Sequence, residues 1–328
     1  MITKKVARKP PALRLAFVVN RFPILSETFI INQIADLIDR NVQIDIFAFA
    51  KGDCAYVSSR FTAYRMDKWT SYLGVPSPRY RRLLGAVPRA WRLLTKKPSA
   101  LFRALNIVKY GREAWSLRLL YQVAPFVGKT FDIIHCHFGT AATQFFTIKD
   151  ILQQTGPIVV TFYGHDASRV FRQSPRDFYD RVKTECALFL VMSNNMKERL
   201  VAQGFGPEKV KVHPVSIDVK CYPFVERRYD PAQPVELVSV GRFVEKKGFD
   251  DLLRSLAVVK QLTRRRFTCS IVGDGPLNTK LRELSSSLGL DGIVSFEGFM
   301  KIDDLIPFLT KKHILVQPSK IAPNGDME

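Results

Sequence analysis

Val240-Gly241-Arg242-Phe243-Val244-Glu245-Lys246-Lys247-Gly248 is the stretch that decides the fold. It follows an apolar run, Val235 to Val240, and leads into an amphipathic segment from Phe249 to Gln261. Strand, glycine-bearing turn and helix start together make a place that can hold a diphosphate. A helix N-terminus offers unpaired N–H groups and the positive end of a dipole. Arg242 and Lys247, five positions apart, add two cations able to converge on phosphoryl oxygens. The plain alternative is a solvated charge cluster in an ordinary strand-to-helix loop, because short motifs match by chance.

The neighbouring sequence favours the ligand reading. A second strand, Phe267 to Val272, runs into Gly273-Asp274-Gly275-Pro276, with Pro276 read as opening the next helix. Val294-Ser295-Phe296-Glu297-Gly298 and Ile314-Leu315-Val316-Gln317-Pro318-Ser319 follow in order. Early in the chain stands Phe22-Pro23-Ile24-Leu25-Ser26-Glu27-Thr28-Phe29-Ile30, and late in it Pro323-Asn324-Gly325-Asp326-Met327-Glu328. This series resembles the retaining glycosyltransferases of the two-Rossmann-domain (GT-B) type, in their bacterial exopolysaccharide and colanic-acid branch. The resemblance covers the whole chain. It implies an α/β fold of two doubly wound Rossmann-like domains facing a cleft. Residues 1–225 would form the acceptor-side domain and residues 226–328 the nucleotide-sugar-binding domain. The Pro-containing segment from Tyr222 to Pro234 would link them.

The pattern along the chain agrees with parallel α/β architecture. Strands are expected at Leu15 to Val19, Val42 to Phe49, Ile133 to Cys136, Ile158 to Phe162 and Leu188 to Met192, with a helix from Glu27 to Asp39. Polar clusters close three of these strands: His135-Cys136-His137-Phe138-Gly139, Tyr163-Gly164-His165-Asp166 and Ser193-Asn194-Asn195. Ligands bind at such carboxyl ends in open α/β sheets. From Arg79 to Leu120 the chain reads as basic helix broken by Pro88 and Pro98. Between Arg79 and Arg118 it carries eleven Lys or Arg and one acid, Glu113. The leucines and tryptophans between those cations are expected mostly to bury in the first domain.

Composition narrows the classes further. A chain of 328 residues with 46% hydrophobic and 24% charged content has room for two cores. Its net charge of +20 implies an anionic partner. Five scattered cysteines lack metal-ligand spacing, which argues for a reducing compartment and against a disulfide framework or zinc site. Cys136 and Cys269 read as small core residues. The apolar run Leu15 to Val19 is too short for a signal peptide, and no run reaches the roughly 20 residues that span a bilayer. A cytoplasmic enzyme touching the inner face of the plasma membrane peripherally is the expectation. Nucleic acid is not expected as a partner, since no nucleic-acid motif accompanies the charge.

The resemblance assigns roles residue by residue. Arg242 and Lys247 would hold the donor diphosphate and stabilise it as it leaves, with Lys246 as the competing lysine. Gly273 and Gly275 would form the glycine turn near the donor, and Phe296 and Gly298 would set backbone groups against the nucleobase. His165 would lie near the donor sugar, unless it is a structural histidine. Asp166 is read as a cap for the helix after it. Ser26 is read as the N-cap of the first helix and Glu27 as complementing its dipole, both also as candidates for substrate contact. His135 and His137 are read as pointing to opposite faces of their strand, with His137 the acceptor-side candidate. Glu328 matches the first of two family glutamates. The second would fall at position 336, so the sequence is read as C-terminally truncated and, as it stands, inactive.

The reaction so implied moves a hexose-type sugar from a nucleoside diphosphate to a lipid-linked or saccharide acceptor. No cofactor and no metal are required. Two rivals belong to other classes: a non-catalytic sugar-nucleotide or partner-binding module, and a nucleic-acid binder.

Overall fold

The computed structural model describes residues 13–24, 27–52, 59–215, 217, 219, 222–227 and 230–327. The chain divides into two compact units. One comprises Met1–Asp166 and Pro175–Val215, the other Ala167–Ser174 and Ser216–Glu328. The main division therefore falls after Val215, ahead of the boundary expected at 225. The first unit also gives a short segment, 167–174, to the second.

In the first unit seven strands form one parallel sheet. They are β1 (Arg14–Phe22), β2 (Gln43–Lys51), β3 (Thr70–Tyr72), β4 (Ile133–His137), β5 (Ile158–Thr161), β6 (Leu188–Val191) and β7 (Val210–Val212). Their order across the sheet is β3-β2-β1-β4-β5-β6-β7. Leu15 to Val19 of β1 are buried in an unbroken run, as a strand covered on both faces must be. On one face the helix Thr28–Asp39 buries Ile30, Ile31, Ile34 and Ala35 against Phe17 and Val19 of β1 and Ile44 and Ile46 of β2. On the other, Phe47 stacks on Phe126 at 3.7 Å, and Phe126 meets Phe145 at 5.7 Å.

The second unit repeats the scheme on a smaller scale. Strands β8 (Val235–Val240), β9 (Phe267–Val272), β10 (Val294–Gly298) and β11 (Ile314–Leu315) pair in parallel in the order β10-β9-β8-β11. The helices Phe249–Leu262 and Asn278–Ser287 supply Phe249, Leu252, Leu253, Leu256 and Leu281 to a core shared with Phe243, Cys269 and Ile271. Pro276 does not open its helix, which starts two residues later at Asn278. Cys136, Cys186 and Cys269 are buried and free.

Each sheet changes direction at one strand. In the first, β1 has β2 on one side and β4 on the other; in the second, β8 has β9 on one side and β11 on the other. Such switch points leave a crevice beyond the carboxyl ends of the strands, where α/β proteins bind ligands.

The basic region departs from expectation in two respects. Pro88 does not end its helix, which runs unbroken from Arg79 to Lys96. Pro88 lies on its exposed side, where the hydrogen bond it cannot donate leaves a carbonyl facing water. Pro98 does act as a boundary and begins the helix Pro98–Ala104. The larger departure concerns burial. Leu83, Leu84, Val87, Trp91, Phe102, Val108 and Trp115 are exposed, while Ala86, Leu93 and Leu101 are among the residues turned inward.

Candidate functional site

The second unit gathers its candidate residues at the carboxyl ends of β8, β9 and β10. Three backbone hydrogen bonds tie the turns after these strands together. Gly241 N–H donates to Val272 O at 3.0 Å, Phe243 N–H to Asp274 O at 2.9 Å, and Gly273 N–H to Gly298 O at 2.8 Å. Two glycines make this closeness possible. A Cβ at Gly273 would lie 1.9 Å from the Gly241 carbonyl oxygen, and one at Gly275 would lie 2.8 Å from the Phe243 nitrogen. The Gly275 N–H is taken by the Asp274 carboxylate at 2.7 Å. Both glycines therefore serve the turn, and the N–H of each is engaged within it.

Arg242 is exposed, and Lys247 is half-buried at the end of a single 3-10 turn, Glu245–Lys247. The Lys247 stem runs beside Gly241, its Cδ 3.3 Å from where a Cβ there would sit. Lys246 is engaged elsewhere, with its ammonium 3.4 Å from Asp326.

Gly248 ends the turn with φ +66°, and a Cβ there would meet the Pro318 carbonyl oxygen at 2.0 Å. The late loop is thus pressed onto the loop after β8. Lys320 N–H donates to Lys246 O at 2.8 Å, and Lys320 Nζ reaches Asp250 at 2.7 Å and Asp251 at 2.8 Å. Asp250 and Asp251 occupy the first turn of the helix Phe249–Leu262 and already complement its dipole.

Phe296 turns its ring into the core, 6.1 Å from Phe243, with the Arg282 guanidinium 4.7 Å over it. Gly298 follows at φ +74°, with open space where a Cβ would project. Its backbone can therefore be approached by a ligand.

The first unit has its own cluster at the switch point of its sheet. Asn20, at the end of β1, donates to Thr140 Oγ1 at 2.8 Å and accepts from Gln144 at 2.9 Å. Glu27 holds the N-cap position of the helix Thr28–Asp39 without a side-chain capping bond. Burial, with the charge of Asp166 nearby, raises its pKa to about 7. Ser26, read as that cap, lies outside the described residues, as does Glu328.

Asp166 is wholly buried and does not cap the helix that follows it. Its two oxygens accept from Gly139 N–H at 2.8 Å and Tyr163 N–H at 2.7 Å. It thus caps the helix Gly139–Leu152, which begins 27 residues earlier in the chain.

His135 and His137 do not point to opposite faces. Their rings stack at 4.3 Å, and both lie against Phe17, at 5.2 and 5.0 Å. Side chains alternate along a strand, so positions two apart share a face. His135 Nε2 meets Thr161 Oγ1 at 2.7 Å and His137 Nδ1 meets the Tyr163 hydroxyl at 2.9 Å. Burial, with His213 as the second cause, lowers the His135 pKa to about 4; burial, with His135 next, lowers that of His137 well below its usual value. His137 has no exposed surface to offer an acceptor. It supports Tyr163, whose ring meets Phe29 at 4.5 Å and Phe138 at 4.8 Å. Phe138 itself stands at φ +75°, a strained conformation that concentrates at functional sites. His165 is exposed in the turn after β5.

Arg242, Lys247, Gly273, Gly275, Phe296 and Gly298 are therefore together in one unit, and Glu27, His137 and His165 in the other. Sequence reading missed Asp166 as a strap, Tyr163 as its neighbour, and the latch of Lys320 and Asp326 on the loop after β8. Each joins positions far apart in the chain and leaves no local pattern.

Comparison with known proteins agrees with this arrangement. Residues 227–325 match the family model described as glycosyl transferases group 1, and residues 99–220 match that of glycosyltransferase family 4. The amylovoran biosynthesis glycosyltransferase AmsK of Erwinia amylovora is 29% identical over 96% of this chain and 78% of its own length. The putative colanic acid biosynthesis glycosyltransferase WcaL of Salmonella typhimurium is 28% identical over 96% of this chain and 78% of its own. Among solved structures, Anabaena HepE with UDP and glucose superposes with a TM-score of 0.60 at 16% identity, covering 95% of this chain and 76% of that one. The lipopolysaccharide outer core galactosyltransferase WaaB gives 0.55 at 18% identity, over 94% and 74%. With a switch-point sheet in each unit and a glycosyltransferase family model matched in each, the chain has a GT-B fold and is similar to the group 1 glycosyltransferases over residues 227–325.

Proposed function

We propose that this protein is a retaining glycosyltransferase of cell-surface polysaccharide assembly, working at the inner face of the plasma membrane. It moves a hexose-type sugar from a nucleoside diphosphate to a hydroxyl of a lipid-linked or saccharide acceptor. The observation that carries this reading is the pair Arg242 and Lys247 in the loop after β8, at the switch point of the second sheet. The names of AmsK and WcaL support the polysaccharide context, and the UDP-glucose complex of HepE supports a nucleotide-sugar donor.

In this scheme the bond from the anomeric carbon to phosphate breaks, and its electron pair leaves with the diphosphate. The acceptor oxygen bonds to the same face of that carbon, and its proton passes to the departing phosphate. Negative charge grows on the diphosphate in the transition state, where fixed cations stabilise it most. Arg242 and Lys247 provide those cations, so the scheme needs no metal. His165 is assigned to the donor sugar, as is Glu328.

Calorimetric titration with UDP and GDP tests the assignment. Charge-assisted contacts contribute about 1.5–3 kcal/mol each, so Arg242→Ala and Lys247→Ala should each weaken binding roughly 10- to 100-fold. In the full-length protein, sugar transfer should fall further than binding. Unchanged affinity in both variants would overturn the site. There too, His165→Ala should keep the melting temperature and nucleotide affinity while losing transfer.

A further inference from the structure

The helix Arg79–Lys96 is amphipathic, but its apolar side faces water. Its inner side is made of Ala86 and Leu93 with the stems of arginines. Arg82 donates to Pro76 O at 3.2 Å, Arg89 lies 4.1 Å over the Tyr121 ring, and Arg92 donates to Val127 O at 2.9 Å. The outer side carries Tyr80, Leu83, Leu84, Val87, Trp91 and Leu94, which are between 44% and 69% exposed. At about 100° per residue these six fall in one sector of roughly 100°. Arg79 and Arg81 border that sector. Beyond the helix, Phe102 is 71% exposed, Val108 fully and Trp115 76%.

Single exposed apolar residues are ordinary, whereas a continuous stripe marks an interaction surface. Its chemistry selects the partner. Leucine and valine flanked by tyrosine, tryptophan and arginine is the pattern of a helix lying in a lipid interface: apolar tips enter the acyl boundary, aromatic rings sit at headgroup depth, and long cationic side chains reach back to phosphate. The region's eleven cations against one acid repel a second copy of this chain and attract an anionic surface.

We propose that the outward stripe of the helix Arg79–Lys96 inserts into the interface of an anionic bilayer. The inference deepens the membrane part of the proposed function and rests on it for its purpose. It differs from simple attraction of a basic protein to anionic lipid, because insertion survives salt that screens charge.

Co-sedimentation with phosphatidylglycerol-containing vesicles tests this, against phosphatidylcholine vesicles and a lipid-free control, at about 0.05 M and about 0.5 M salt. Binding should require the anionic lipid and persist in part at the higher salt. Leu84→Ser, Val87→Ser and Trp91→Ser combined should lower vesicle affinity tenfold or more at both salts, with UDP affinity and melting temperature kept. In a Trp69→Phe, Trp115→Phe background, Trp91 emission should shift to the blue on binding and be quenched by brominated lipid. Wild-type binding by the triple variant overturns the proposal. So does complete loss of binding at high salt without a Trp91 shift, or a salt-resistant RNA complex or, at the lower salt, a dimer that buries Trp91. Loss of UDP binding in the wild type, with vesicle binding intact, would remove the proposed function and leave this surface standing.

Discussion

At the scale of single residues, Glu27 gives the most direct test of the first unit. Burial and the charge of Asp166 raise its carboxyl from 4.5 to about 7. Between those values the folded chain holds a proton that the unfolded chain has released. The stability this group contributes is therefore fully present below about pH 4.5 and is lost as pH rises through 7. Glu27→Gln removes the ionisable group but keeps the shape. Its melting temperature should match that of the parent near pH 4.5 and exceed it by several degrees at pH 8. A difference that does not vary with pH would show that Glu27 is solvated in the folded state. The same scale shows where sequence reading erred. A strand's period places His135 and His137 on one face, and their stacking follows from that period. The error lay in counting, whereas the link between Asp166 and Gly139 could not be counted at all, because it depends on β4 and β5 being neighbours.

At the scale of elements, glycines with similar backbone angles should respond very differently to substitution. Gly248 and Gly298 stand at φ +66° and +74°. A side chain at Gly248 would strike the Pro318 carbonyl, whereas one at Gly298 would enter open space. Gly298→Ala should cost about 1–2 kcal/mol, the backbone penalty alone. Gly248→Ala should cost more and should also weaken UDP binding, because relieving the clash shifts the loop that carries Lys247. Denaturant unfolding together with calorimetry reads both effects, and equal losses in the two variants would contradict the packing described for the late loop. The strand, glycine turn and helix of β8 were legible because all their signals lie in one continuous run, from Val235 to Leu262. The side of the helix Arg79–Lys96 that meets the protein was not. Apolar spacing reveals that a stripe exists, but not whether protein, lipid or water lies against it.

At the scale of the whole molecule, both units use a strand order that turns at one central strand, and each keeps its own core. This organisation could be read from alternating apolar and helical segments. The transfer of residues 167–174 to the second unit could not, because nothing in their composition distinguishes them from their neighbours. The outward stripe has a consequence for colloidal behaviour. A net charge of +20 keeps copies of the protein apart at low ionic strength, so that their apolar helices do not meet. Raising salt from about 0.1 M to about 1 M shortens the reach of that repulsion from about 10 Å to about 3 Å and leaves apolar attraction in place. Without lipid, the hydrodynamic radius measured by light scattering should grow with salt, and mild detergent should reverse the growth. The Leu84→Ser, Val87→Ser, Trp91→Ser variant should stay dispersed throughout. A wild-type radius indifferent to salt would mean that the exposed leucines and tryptophan are too scattered to hold two copies together.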